Sequence, residues 1–132
     1  MNNITLFLID DDEDNRELFQ IVLNMIDSSI KLVYANDGMQ ALELVTDPAF
    51  SVPDIIFLDL HMPRMNGLEF LSATRHLKFL SAPIIIFSTL IKDYDINRFI
   101  ELGARECVEK PGTLESLKRV VLRVLQAHLK KP

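Results

Sequence analysis

Short, wholly apolar runs alternate along the chain with longer segments whose apolar residues recur at helical spacing. The first run, Ile4-Thr5-Leu6-Phe7-Leu8-Ile9, is rich in strand formers and is halted by acids. Lys31 to Ala35 is a second run, Ile55 to Leu58 a third introduced by Pro53-Asp54, and Ile84 to Phe87 a fourth introduced by Pro83. Glu106-Cys107-Val108 is a short, weak fifth. The first, third and fourth are continuously apolar rather than alternating, which suits strands covered on both faces, as in parallel sheets. Between the runs, Leu18, Val22, Met25 and Ile26 predict one face of a helix from about Asp14 to Asp27. A second helix is predicted over Gly38 to Thr46, carrying Ala41, Leu42 and Val45. A third starts near Gly67 with Leu68, Leu71 and Arg75 on it, and a fourth runs from Ile96 to Leu102 before Gly103, a helix stop. The last has Leu114, Leu117, Val121, Val124 and Leu125 as an apolar stripe, Thr113 as N-cap, and Lys130 and Lys131 against the negative end of its dipole. Strand–helix pairs in alternation, joined by right-handed crossovers, predict an α/β fold: a doubly wound, five-stranded parallel sheet with helices on both faces.

Composition narrows the class without changing that picture. The chain has 132 residues, 48% of them hydrophobic and 25% charged, which fits one globular domain over 1–132 and excludes a disordered or fibrous chain. No repeat, low-complexity stretch or linker divides it, so no second domain is expected. The net charge of −5 argues against a basic nucleic-acid-binding surface. The apolar runs are too short to span a membrane, and Met-Asn-Asn-Ile at the start has no basic segment leading into an apolar one. Cys107 is the one cysteine, so no internal disulfide can form, and a cytoplasmic location is expected.

In doubly wound sheets the functional cleft opens at the carboxyl ends of the strands. The first run is followed by Asp10-Asp11-Asp12-Glu13-Asp14, the third by Asp59, the fourth by Ser88 and Thr89, and the fifth by Lys110-Pro111. Several carboxylates, a hydroxyl and an ammonium would therefore converge at one sheet edge. Two carboxylates about 4 Å apart repel by about 1 kcal/mol in water and about 4 kcal/mol at an effective dielectric near 20. One lysine does not balance three acids, and a hard divalent ion, Mg²⁺ above all, would settle the site. Mg²⁺, lysine and a hydroxyl together suit the oxygens of a phosphoryl group, and a carboxylate among them can act as nucleophile and become an acyl phosphate.

These residues carry a family resemblance over the whole chain. Asp10-Asp11, Asp59 in Asp59-Leu60-His61-Met62-Pro63 with Gly67 following, Ser88 after Pro83-Ile84-Ile85-Ile86-Phe87, Gly103-Ala104, and Lys110-Pro111 together resemble the receiver domain of bacterial response regulators, whose fold is flavodoxin-like. The resemblance implies that Asp59 accepts a phosphoryl group from a histidine kinase or a histidine phosphotransfer protein. It implies Mg²⁺ as cofactor, with Asp11, Asp59 and the backbone carbonyl of His61 as ligands and Asp10 acting through a metal-bound water. Lys110 would pair with the phosphoryl oxygens and Ser88 would hydrogen-bond one of them, with Thr89 as the second choice of hydroxyl. The Lys110–Pro111 bond is expected to be cis. A switched surface on helix 4, strand 5 and helix 5 would be read by an unknown downstream protein, with no direct nucleic acid or membrane partner. On this reading the chain is a stand-alone response regulator without an output domain, and not an enzyme beyond its own phosphorylation and dephosphorylation.

The acidic run leaves a register to settle. Arg16, five residues after Asp11, matches the family spacing and favours Asp10 and Asp11 as the site pair, with Asp12 and Asp14 capping the first helix. One departure stands out: Cys107 occupies the position where receivers often carry the aromatic residue of their switch. Read as a small strand residue rather than a reactive thiol, it leaves backbone and helix shifts to carry the signal. His61 is read as lining the rim of the site, and His76 and His128 as helix-surface residues. Two rivals remain. Asp10-Asp11-Asp12 contains the Asp-x-Asp of a haloacid-dehalogenase-like phosphohydrolase, but Asp14 stands where Thr or Val is expected, and a late acidic pair and a cap are missing. The other rival is a receiver used for docking without phosphorylation, against which the intact acceptor, acids, hydroxyl and lysine argue.

Overall fold

The computed structural model describes residues 3–77 and 81–129. Five strands and five helices alternate: β1 (Thr5–Ile9), α1 (Glu13–Ile26), β2 (Lys31–Ala35), α2 (Gly38–Thr46), β3 (Ile55–Leu58), α3 (Gly67–Thr74), β4 (Ile84–Ser88), α4 (Asp93–Glu101), β5 (Ala104–Glu109) and α5 (Leu114–His128). The strands form one parallel sheet in the order β2-β1-β3-β4-β5. The expected doubly wound sheet is the observed one.

The continuous apolar runs are explained by the two cores. Successive strand side chains point to opposite faces. Phe7, Ile9, Ile56, Leu58 and Ile86 pack against Ala41 and Val45 of α2, Phe70 and Leu71 of α3, and Phe99 of α4. Leu6, Leu8, Phe57, Ile85 and Phe87 pack against Phe19, Val22 and Leu23 of α1 and Leu117, Val121, Val124 and Leu125 of α5. Phe19, Phe57 and Phe87 meet edge to face, with ring centroids 5.1 to 6.0 Å apart. The central strands β1, β3 and β4 are buried almost throughout, whereas the edge strands β2 and β5 are mostly half-buried or exposed.

Helix starts are written locally. Asp12 caps α1 by accepting from the Asp14 and Asn15 amides, Asp37 caps α2 through Gln40, and Thr113 caps α5 through Ser116. Asn66 and Glu69 form a capping box at α3. Gly103 ends α4 at φ +112°, a conformation that favours glycine.

Several details differ from expectation. The face of α1 is only partly the expected one: Val22 and Ile26 turn to the core, but Phe19 and Leu23 join them there, while Leu18 and Met25 are 42% and 50% exposed. Two apolar stripes, one residue out of phase, satisfy the same spacing, and only the aromatic contacts with β3 and β4 select between them. Leu114 is 40% exposed, outside the stripe that continues from Leu117. In α3 it is Phe70 and Leu71 that are buried, and Arg75 caps the helix on its exposed side. The α4 helix begins at Asp93, earlier than predicted, because its first turn is polar and leaves no apolar period to read. The β5 strand is longer than its apolar segment, since an edge strand is only half covered and carries Arg105, Glu106 and Glu109. The Lys110–Pro111 peptide is trans, the favoured form of an X–Pro bond, and no cis bond occurs among the described residues. His76 lies in the turn after α3, and His128 is half-buried, 2.7 Å from Glu106 of β5. Lys130 and Lys131 lie outside the described residues.

Candidate functional site

Strand register builds the site. Ile9 pairs with Leu58 on one side and Ala35 on the other, so β1 and β3 end level with one another. The next residues, Asp10 and Asp59, therefore leave the sheet side by side; the Asp59 amide donates to Ile9 at 2.9 Å and the Asp10 amide to Ala35 at 3.1 Å. Ser88 ends β4 opposite Glu109, and the Lys110 amide donates to the Ser88 carbonyl at 2.9 Å. Residues from four strands thus meet at one edge.

Their side chains interlock. Lys110 Nζ lies 2.8 Å from Asp10 Oδ2 and 3.3 Å from Asp59 Oδ2. Ser88 Oγ donates to the other Asp59 oxygen, Oδ1, at 3.0 Å, and the His61 amide approaches the same oxygen at 3.4 Å. Asp10 Oδ1 accepts the Asp12 amide at 3.0 Å, so both Asp10 oxygens have protein partners. The Asp10, Asp59 and Ser88 residues are buried, while Asp11 is exposed at the mouth. Arg16 donates to the Asp10 carbonyl at 3.1 Å, with its guanidinium 4.7 Å from the centre of the Tyr34 ring. Asp12 faces away as the helix cap.

Charge is unbalanced here. Carboxylate oxygens of Asp10, Asp11 and Asp59 lie within 4.8 Å of one another, with Lys110 as the ammonium among them. Burial pushes the Asp10 carboxyl above its usual range, against the pull of its hydrogen bond to Lys110. Burial also works against the Lys110 ammonium, but Asp10, and Asp59 after it, outweigh it and hold the lysine more firmly protonated. The site is short of positive charge. Its donors are all carboxylate oxygens, without sulfur or imidazole, which fits a hard divalent cation such as Mg²⁺.

The remaining expected residues are distributed around this centre. His61 is exposed and lines a groove beside the site with Asn66, Leu90 and Lys92. Thr89 is exposed, and it is the Ser88 hydroxyl that reaches the Asp59 carboxylate. Cys107 is half-buried against the core shared with Ile86, and burial, then the Glu106 charge, push its thiol up, away from the reactive thiolate. Gly67 permits a close approach, because a Cβ there would overlap the Asp59 carbonyl oxygen.

Sequence reasoning missed one pairing. Arg64, in the loop between β3 and α3, forks onto Asp37 at the start of α2, Nε to Oδ2 at 2.8 Å and a terminal nitrogen to Oδ1 at 3.2 Å. The turn signal Asp37-Gly38 was visible, but nothing local announces a partner 27 positions away.

A family model described as the response regulator receiver domain matches residues 6–122. The chain is 35% identical over 132 residues to protein-glutamate methylesterase/protein-glutamine glutaminase 1 of Caulobacter vibrioides, covering 94% of this chain and 36% of that protein. It is 33% identical over 111 residues to the transcriptional regulatory protein CpxR of Escherichia coli, covering 84% of this chain and 44% of that one. Among solved structures, the phosphorylated cyanobacterial phytochrome response regulator RcpA superposes with a TM-score of 0.84 at 27% identity, over 95% of this chain and 93% of that one. The chain spans less than half the length of the curated relatives it matches.

Proposed function

This chain belongs to the response regulator receiver domain family, and from that premise we propose that it is a phospho-acceptor switch with Asp59 as the acceptor. The observation that carries the proposal is the engagement of both Asp59 oxygens, one by the Lys110 ammonium and the other by the Ser88 hydroxyl. A nucleophilic carboxylate with a cation and a hydroxyl at its two oxygens is equipped to receive a phosphoryl group and hold it.

Receiver domains interact with histidine kinases or phosphotransfer proteins, so the proposed donor is a phosphohistidine. An Asp59 oxygen attacks phosphorus; the new P–O bond forms as the P–N bond breaks, and the imidazole leaves with the electron pair. Lys110 then pairs with a phosphoryl oxygen, and Ser88 turns its hydroxyl from the carboxylate to another. Asp11, Asp59 and the His61 carbonyl would hold Mg²⁺ directly and Asp10 through water, and the ion supplies the positive charge that the site lacks.

Movement of Ser88 pulls on Thr89 and Leu90, and through them on α4. The Ile91 amide donates to Glu109 of β5 at 3.2 Å, which couples that loop to β5 without an aromatic ring at position 107. The proposed output is therefore a changed α4–β5–α5 face, read by a downstream protein.

The test is incubation with acetyl phosphate or a phosphohistidine donor, followed by intact mass. One phosphate should be added in Mg²⁺, little in excess chelator, and none to Asp59→Ala. An adduct that survives Asp59→Ala, or one indifferent to Mg²⁺, would contradict the proposal.

A further inference from the structure

The loop from Leu60 to Asn66 carries the His61 carbonyl, and its two ends are fixed differently from its middle. At the start, Leu60 and Met62 are buried in the core beneath α2 and α3. At the end, the Gly67 amide donates to the Leu60 carbonyl at 3.1 Å, and Asn66 caps α3. The middle, Pro63 and Arg64, is exposed. Here Arg64 adopts φ +63°, the left-handed region that a non-glycine residue holds only where its surroundings over-determine it.

Those surroundings belong to α2. Asp37 is a buried carboxylate that caps α2 through the Gln40 amide at 2.8 Å and receives the Arg64 fork on both oxygens. Beside it the Gly38 amide donates to the Met65 carbonyl at 2.9 Å, and a Cβ on Gly38 would overlap that carbonyl oxygen. Asp37 lies two residues after Ala35, whose carbonyl accepts the Asp10 amide. One short stretch, Ala35 to Gly38, thus touches both the Asp10 backbone and the loop after Asp59. Bidentate arginine–carboxylate pairs add geometric specificity as well as energy, because the planar fork fixes orientation.

Resting on the receiver reading above, we propose that Asp37 and Arg64 are positioning residues: their fork latches the loop to α2 and sets the direction of the His61 carbonyl toward the cation site. Buried Leu60 and Met62 side chains fix where the chain runs. They do not by themselves fix the plane of the His61–Met62 peptide, which is set by the backbone that follows. The latch supplies that constraint from outside the site, as outer-shell partners do for metal ligands.

The test is Mg²⁺ titration calorimetry on the parent, Arg64→Ala, Arg64→Gly, Asp37→Asn and the double variant Asp37→Asn/Arg64→Ala. Arg64→Ala should weaken Mg²⁺ about tenfold, the low end of outer-shell effects. Arg64→Gly removes the backbone strain along with the fork, so it should weaken Mg²⁺ as much while melting no lower than Arg64→Ala. The double variant should bind no more weakly than the weaker single, since one interaction is being removed twice. Parent-like Mg²⁺ affinity in both Arg64 variants overturns the latch. If the parent itself binds no Mg²⁺, it is the receiver reading that fails. Amide hydrogen exchange of the metal-free proteins then decides the latch alone: faster exchange at His61 to Asn66 in Arg64→Ala supports it, and unchanged exchange overturns it.

Discussion

Lys110 answers to two carboxylates at once. Its side chain is 11% exposed and sits against Asp10 and Asp59, whose own side chains are nearly sealed from water. Removing one partner of a buried ion pair leaves the other charge uncompensated, at a cost of about 3–5 kcal/mol. Lys110→Met should therefore destabilise the metal-free protein by about that amount at pH 7. The pH dependence has a definite sign. In the parent the lysine is held protonated above its usual value, so its contribution is present throughout the acid and neutral range and is lost only as pH rises through the raised lysine range. In the variant the cost lies in the ionised Asp10 carboxyl, stripped of its ammonium partner, whose charged form burial already disfavours. The deficit should shrink as pH falls and this raised carboxyl takes up its proton. Urea melts of both proteins at pH 7 and pH 5 check this, and a deficit that is equal at the two values, or grows in acid, would count against the charge argument. Asp59, Ser88 and Lys110 were legible in the sequence because each directly follows or ends a strand. The Asp37–Arg64 fork was not, since it joins two loops whose proximity depends on the packing of α2 beside α3.

Among the elements, α1 shows most clearly what pattern alone decides. Its existence and limits follow from the Asp12 cap and the apolar spacing, but its buried face does not. Leu18, Ile21 and Met25 recur as regularly as Phe19, Val22 and Ile26, and the sheet takes the second set because Phe19 can meet Phe57 and Phe87. Phe19→Ala should accordingly cost about 3–5 kcal/mol, as large-to-small core changes do. Met25→Ala, at a half-exposed position, should stay within about 0.5 kcal/mol. Denaturant melts compare them directly, and equal losses would show that the helix is rotated from the position described. The edge strand β5 and the first turn of α4 were hard to read for a related reason: both are half covered, and half-covered backbone carries a weak hydrophobic period.

For the whole molecule, register is what converts separate sequence signals into a site. Aligned strand ends bring Asp10, Asp59, Ser88 and Lys110 to one edge, although Asp10 and Lys110 are 100 positions apart in the chain. The same alignment concentrates part of the net charge of −5 there, leaving a pocket with more carboxylate than ammonium. The central claim is that Asp59 becomes an acyl phosphate, and the most direct measurement of it is chemical trapping. Borohydride reduces an acyl phosphate to the alcohol and releases phosphate, so an aspartyl phosphate is recorded permanently as homoserine. After phosphorylation in Mg²⁺ and reduction, tandem mass spectrometry should find homoserine at position 59 and aspartate retained at Asp10, Asp11 and Asp12. Homoserine at one of those three positions, or aspartate retained at Asp59 in protein that carries the phosphate, would contradict the account.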